Sequence, residues 1–385
     1  MKVLLISHTC QSATEGQPKA AEIAARLDGE LLVLAPDRWK HYGSWRRTQP
    51  PRIPAYHYIA GRTALPWTGP GQSYLHFYPR LAALLKAFRP DVIDIWEEPW
   101  SLVSAQACHL RNRLLPQTRV ISETEQNLPK DYPPPFRWLR AYTLRNADFA
   151  VARSDGALQT LRMQGYQGPS EVVPNGVDAT LFHPMDHAAC RKALGLEGTV
   201  IGYAGRMVEQ KGLMDLVNAL PLLPVDTRLA FAGSGDFTGA LQDRLRVLGL
   251  EDRVRFFPEQ TLTVLPQWMN AIDILALPSQ TTARWKEQFG RVIIEAHACG
   301  TPVAGSCSGA IPGVIGKGGV LFAERDPSAL ASAILPLCTN PKRRRALGEA
   351  GRRQVLAQYT WDKVGEQMHR IIQNVKRRNA LAHLS

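Results

Sequence analysis

Residues 200–220 read VIGYAGRMVEQKGLMDLVNAL. An apolar run at 200–203 meets Gly205-Arg206, then Lys211-Gly212, and then a stretch with Leu213, Leu216, Val217 and Leu220 on one helical face. Strand, glycine turn and helix in this order form the unit from which parallel α/β sheets are built, and such sheets present ligands at their carboxyl edge. Arg206 and Lys211 place two cations in that turn. Two solvated surface cations are the plainer alternative, since Lys and Arg are mostly exposed.

The same pattern recurs along the chain. KVLLIS at the start, ELLVLA at 30–35, DVIDIW at 91–96, RVISET at 119–124 and DFAVARS at 148–154 are short apolar runs separated by helical patterns such as QPKAAEIAARL and YPRLAALLKAF. They predict parallel strands in βαβ units. A second series follows the turn residues Pro174-Asn175-Gly176: TVIGYAG, TRLAFAG, RVRFFP, DILALP, TPVAG and GVLFA. The 385 residues therefore divide into a domain over 1–174 and a second over 175–359. An amphipathic segment, 360–385, follows.

Residues 287–305, EQFGRVIIEAHACGTPVAG, carry the densest chemistry. Glu287 lies in the loop before Phe289-Gly290, and Glu295 falls in the first turns of the helix that Gly290 opens. A helix start offers unpaired N–H groups to an anion, and acids on either side can hold hydroxyl groups. Phosphate flanked by polyols describes a nucleotide sugar. Two solvated glutamates on a surface helix are the alternative.

Arg206-x4-Lys211-Gly212 followed by Glu287-x7-Glu295 around Phe289-Gly290 resembles the donor site of the family 4 retaining glycosyltransferases. VVPNGVDATLFHP, AIDILALPS and EAHACGTPV support it in the expected order over residues 170–325. The N-terminal half matches only in outline. The resemblance implies the GT-B architecture, an α/β fold of two Rossmann-like domains with a cleft between them, whose last helix packs back on the first domain. It further implies that Arg206 and Lys211 clamp the donor diphosphate, with Gly16, Gly205, Phe289, Gly290 and Arg291 also among the donor-binding residues. Glu295 takes the ribose hydroxyls, and Glu287 those of the donor sugar. Anomeric configuration is retained through front-side attack. A UDP-sugar is the expected donor and a glycan or lipid-linked molecule the acceptor, in envelope polysaccharide or glycolipid synthesis. No Asp-x-Asp pair occurs, so no metal or other cofactor is expected.

Two departures concern the acceptor side. Relatives commonly carry a Gly-Gly loop after the first strand, whereas here HTCQSATEGQPK has Gly16 alone. Where many relatives place a histidine, ISETEQN offers Glu123 or Glu125 as a sugar or acceptor contact, or as a base; a solvated or helix-capping acid is the alternative. A sugar-nucleotide epimerase on the same fold, or a non-catalytic nucleotide-binding protein, remains a competing reading. A dinucleotide oxidoreductase lacks its fingerprint, because FAGSGDFTG places the third glycine one position late.

Charge is unevenly distributed. Lys plus Arg number 46 against 34 Asp plus Glu, a net +12. Between 38 and 90 there is no acid, but nine bases (Arg38, Lys40, Arg46, Arg47, Arg52, Arg62, Arg80, Lys86, Arg89) and ten aromatics, among them Trp39, Trp45, Trp67, Tyr74 and Phe77. Such interleaving suits an anionic membrane surface; a Pro-rich excursion over packed aromatics is the alternative. No nucleic-acid module accompanies it, so nucleic acid is not an expected partner. The cluster Lys342-Arg343-Arg344-Arg345 with Arg352-Arg353 reads as a solvated helix face. Cys10, Cys108, Cys190, Cys299, Cys307 and Cys338 form no CxxC pair, and no apolar run approaches the roughly 18 residues of a membrane span. The four-residue apolar start is too short for a signal peptide. The expectation is a cytoplasmic protein with peripheral contact at the inner membrane face through 38–90.

Overall fold

The computed structural model describes residues 1–41, 44–51, 55–64 and 71–381; Arg52, Trp67 and the last four residues of the segment 360–385 lie outside the described residues. The chain folds as two units, Met1–Pro174 with Trp361–Ser385, and Asn175–Thr360.

The strands of the first unit are β1 (Lys2–Ile6), β2 (Glu30–Pro36), the hairpin pair β3 (Arg38–His41) and β4 (Ser44–Arg47), β5 (His57–Gly61), β6 (Val92–Ile95), β7 (Arg119–Thr124), β8 (Phe149–Ala152) and β9 (Ser170–Val172). Seven of them form one sheet in the order β5-β2-β1-β6-β7-β8-β9, with every pairing parallel. Alternation along β1 sends Val3 and Leu5 to one face and Leu4 and Ile6 to the other, and all four are fully buried. The first face is covered by the helix Gly16–Arg26 and by Val364, Met368, Ile371, Ile372 and Val375 of the helix Trp361–Leu381. Helix approach is close there: a Cβ on Gly365 would stand 2.4 Å from the Cβ of Glu22. The helices Leu81–Phe88 and Leu102–Leu114 cover the opposite face.

The second unit holds β10 (Thr199–Ala204), β11 (Thr227–Ala232), β12 (Val254–Phe257), β13 (Ile274–Leu277), β14 (Val303–Ser306) and β15 (Gly319–Phe322). They form a parallel sheet in the order β12-β11-β10-β13-β14-β15. Val200, Ile201 and Tyr203 of β10, with Leu213, Leu216 and Val217 of the next helix, are at most 1% exposed. Burying aliphatic side chains of this size contributes about 1.5–3 kcal/mol each. Strand order reverses between β1 and β6 in the first sheet and between β10 and β13 in the second, and ligand crevices open at the carboxyl ends of such strand pairs.

The basic, aromatic stretch splits in two. Trp39, Tyr56 and Tyr78 are buried, while Arg38, Trp45, Arg46 and Arg47 of the hairpin face outward, with the Arg38 guanidinium 5.3 Å over the Trp45 ring. Among the described residues, no helix is long and apolar enough to cross a membrane.

Candidate active site

At the reversal point of the second sheet, β10 runs out through Gly205 and Arg206, both exposed, while the Tyr203 hydroxyl donates to the carbonyl of Arg206 across 2.6 Å. A 3-10 turn, Glu209–Lys211, then leads into the helix Leu213–Ala219. Beside it, β13 ends at Leu277, and the chain passes through Ser279 and Trp285 to Glu287.

The two strand ends meet in an ion pair. Lys211 Nζ lies 2.6 Å from Glu287 Oε2, and the Ser279 hydroxyl donates to the same oxygen across 2.8 Å. The Lys211 ammonium also stands 4.9 Å from the centre of the Trp285 ring, a cation–π distance. The two charged side chains are only 15% and 10% exposed, so their attraction is weakly screened. The backbone of Glu287 is pinned as well. Its carbonyl accepts from the Ala310 N–H at 3.0 Å, and Gly309, at φ +55°, passes so close that a Cβ there would stand 2.0 Å from that carbonyl oxygen.

Three residues further, Gly290 at φ +81° is the N-cap of the helix Arg291–Ala298, and no side chain caps it. Its first-turn N–H groups carry the positive end of the helix dipole. Glu295 lies on the second turn, its Oε1 3.9 Å from Nη2 of Arg291. Phe289 departs from its expected place at the donor: it is 4% exposed and packs edge-on against Tyr359 at 6.0 Å.

The first unit holds the other expected residues. Gly16 starts the helix Gly16–Arg26 against the turn His8–Gln11, where a Cβ would meet the backbone nitrogen of Cys10 at 2.4 Å; close packing accounts for this glycine. Glu123 offers no open face. Its side chain is fully buried, with one oxygen 2.5 Å from Lys19 Nζ and the other held by Arg153. Both cations lie over the Trp96 ring, at 4.1 and 4.4 Å. Burial and the Glu123 charge push the neighbouring Asp94 carboxyl well above its ordinary range. Glu123 is thus the centre of a buried charge network, whereas Glu125 is 36% exposed on its side chain. Ser279 and Trp285 escaped the sequence reading. The position of Ser279, just past an apolar strand, was the available signal.

Two family models match in succession. Glycosyltransferase Family 4 covers residues 22–181 and Glycosyl transferases group 1 covers residues 191–354. The chain belongs to the family 4 glycosyltransferases. Relatives include a GDP-mannose-dependent monoacylated alpha-(1-6)-phosphatidylinositol monomannoside mannosyltransferase of Corynebacterium glutamicum, 33% identical over 54% of this chain and 57% of its own length. A D-inositol 3-phosphate glycosyltransferase of Corynebacterium jeikeium is 29% identical over 73% of this chain and 68% of its own. The match thus spans little more than half of the first relative's length. Among solved structures, sucrose-phosphate synthase from Thermosynechococcus elongatus superposes with a TM-score of 0.73 at 22% identity, over 97% of this chain and 99% of its own. Anabaena HepE in complex with UDP gives 0.77 at 18%, over 97% and 100%. At these identities the likeness establishes the fold, and the GT-B expectation is met.

Proposed function

We propose that this family 4 protein is a retaining glycosyltransferase that moves a sugar from a nucleoside diphosphate to a polyhydroxyl acceptor. The Lys211–Glu287 pair beside the uncapped helix start at Gly290 carries the reading. It combines a cation, a dipole end and a carboxylate where strand order reverses. Departure of the diphosphate leaves negative charge, which Lys211, Arg206 and the N–H groups around Gly290 and Arg291 stabilise. Glu287, fixed by Lys211 and Ser279, accepts from donor-sugar hydroxyls, and Glu295 accepts from the ribose. The acceptor attacks from the leaving-group face, so configuration is retained.

UDP is the expected nucleotide of the donor. GDP-mannose, named for one relative, is the competing donor, and the inositol names of the relatives support a polyol or lipid-linked acceptor in envelope synthesis. The outward hairpin with Trp45, Arg46 and Arg47 supports peripheral membrane contact of a cytoplasmic enzyme. Donor chemistry rests on fixed protein charges and calls for no metal, so turnover should survive EDTA; abolition reversed by Mg²⁺ would contradict this. A thermal-shift screen of UDP, GDP and ADP tests the core of the reading. A bound diphosphate at 100-fold excess over Kd adds about 2.7 kcal/mol, and no shift with any of the three would refute donor binding.

A further inference from the structure

At the amino edge of the first sheet, where β1, β6 and β7 begin, lies a cavity of about 800 Å³ lined wholly by residues of the first unit. Small-molecule pockets span about 300–1,000 Å³. The strand starts around it are laced together. The Asp91 N–H donates to the Lys2 carbonyl at 2.8 Å, the Arg119 N–H to the Asp91 carbonyl at 3.0 Å, and the Thr118 hydroxyl to the Pro90 carbonyl at 2.6 Å. Leu114, Leu115 and Pro116 give the lining an apolar part. The returning helix Trp361–Leu381 contributes Gln373, Lys376 and Arg377.

Four cationic side chains line the cavity, Arg89, Arg119, Lys376 and Arg377, against the acids Asp28 and Asp91. Two of the cations are answered: Lys376 Nζ lies 3.0 Å from Asp91, and Arg119 Nη1 lies 2.7 Å from Asp148. Arg89 and Arg377 are exposed, and among the described residues neither is held in an ion pair. Arg89 also has an uncommon backbone. It ends the helix Leu81–Phe88 in the left-handed region, at φ +51° and ψ +64°, its N–H donating to the Leu85 carbonyl at 2.9 Å. Glycine usually stands at such a helix end, because a Cβ is costly in that conformation. Here the chain carries arginine. Compensation of helix carbonyl ends explains a cation at either place. It does not account for two of them, from separate helices, lining one cavity.

We infer that this cavity binds a phosphate monoester, with Arg89 and Arg377 on its oxygens. The site is separate from donor binding and does not depend on that reading. Guanidinium groups hold phosphate oxygens through paired, charge-assisted hydrogen bonds, which two arginines without carboxylate partners are free to make. Lys376 adds a further positive charge, and Leu114, Leu115 and Pro116 meet the carbon skeleton of the ester. Reacting ligands of such sheets bind at the carboxyl ends of the strands. A ligand at the amino ends is therefore an effector rather than a reactant. Because its cations come from the sheet side and from the returning helix, it fastens that helix to the base of the sheet.

Titration calorimetry on the full chain tests this with glucose 6-phosphate and glycerol 3-phosphate, and with glucose and glycerol as neutral counterparts. The esters should bind and the neutral compounds should not. Glycine suits the left-handed backbone at position 89, so Arg89→Gly should fold with a Tm no lower than wild type. Yet Arg89→Gly and Arg377→Gln should each weaken ester binding by at least about tenfold, the loss of a hydrogen bond to a charged group. Lys211→Ala, which lacks the proposed donor cation, should bind the esters as wild type does. Binding lost in Lys211→Ala and kept in both arginine variants would put the phosphate at the donor site and overturn the inference. Hydrogen exchange read by mass spectrometry locates the ligand: glucose 6-phosphate should slow exchange over 370–377 in wild type and leave Arg89→Gly unchanged. Unaltered exchange there in wild type saturated with ester also overturns the site. Phosphatidylcholine vesicles carrying phosphatidic acid distinguish the source of the phosphate. Sedimentation of wild type with them, lost in both arginine variants, makes the ligand a lipid headgroup; ester binding without such sedimentation makes it a free ester. Absence of binding to the esters and to the vesicles refutes the site and leaves the cations as compensation for the helix ends.

Discussion

Lys211→Ala separates the stability of the Lys211–Glu287 pair from its chemistry. At 2.6 Å and an effective dielectric near 20, the gross attraction is about 6 kcal/mol. Desolvation of both groups offsets part of it. Removing one partner of a buried pair costs about 3–5 kcal/mol, and the 10–15% exposure here brings the expectation to about 2–3 kcal/mol. In a unit of this size that lowers Tm by roughly 5–10 °C. The residual cost lies in Glu287, whose buried carboxylate loses its cation while the Ser279 hydroxyl still donates to it. Adding Glu287→Gln removes that buried charge, so the double variant should regain at least about half of the lost stability. Turnover should not recover. Loss of a fixed cation from a developing phosphate charge costs about 10²–10³-fold, and the glutamine restores no positive charge. Differential scanning fluorimetry and diphosphate release, run on both singles and the double, give the full cycle. A double variant as unstable as Lys211→Ala would refute the assignment of that cost to the Glu287 charge. Lys211→Ala turnover within threefold of wild type would refute the clamp.

Glu295→Ala should weaken free nucleoside diphosphate binding by about 10–100-fold, the loss of a hydrogen bond to a charged group, and unchanged affinity by calorimetry would count against the ribose contact. Gly309→Ala should cut turnover sharply, because its Cβ would displace the Glu287 carbonyl, whereas Gly313→Ala, which opens onto free space, should not; equal behaviour of the two contradicts the pinning role. Burial drives the His297 pKa from 6.5 to about 4, only partly offset by the Gly318 carbonyl. The depressed folded value means that stability is intact above about pH 6.5 and falls by about 3 kcal/mol as pH drops toward 4, where the unfolded state takes the proton first. Urea unfolding across that range should show a flatter acid limb in His297→Gln; an identical limb would argue that another group titrates there.

The central strands were legible because each is buried on both faces and reads as an unbroken apolar run. β5 and β9 were not, since they close the two edges of the first sheet: HYIAG is half open to solvent, and SEV has no fully buried residue. The hairpin β3–β4 was hidden inside a stretch whose charge drew attention first. At the site, Lys211 and Glu287 were identified separately from turn and helix-start patterns, but their pairing depends on β10 lying beside β13, a contact across more than 70 residues that local periodicity does not encode. Glu123 and Phe289 show the converse limit. Sequence placed both near strand or helix ends, and only packing reveals that each side chain turns inward.

The return of the helix Trp361–Leu381 to the first sheet sets an order of assembly on the ribosome. One face of that sheet waits for Val364, Met368, Ile371, Ile372 and Val375, with all of Asn175–Thr360 translated in between. At synthesis rates of 5–20 residues per second the delay is on the order of ten to forty seconds. The second unit is itself complete only at Thr360, immediately before the returning helix begins. The N-terminal half, although made first, finishes last, and through that interval the sheet face that the helix Gly16–Arg26 covers only in part stays open.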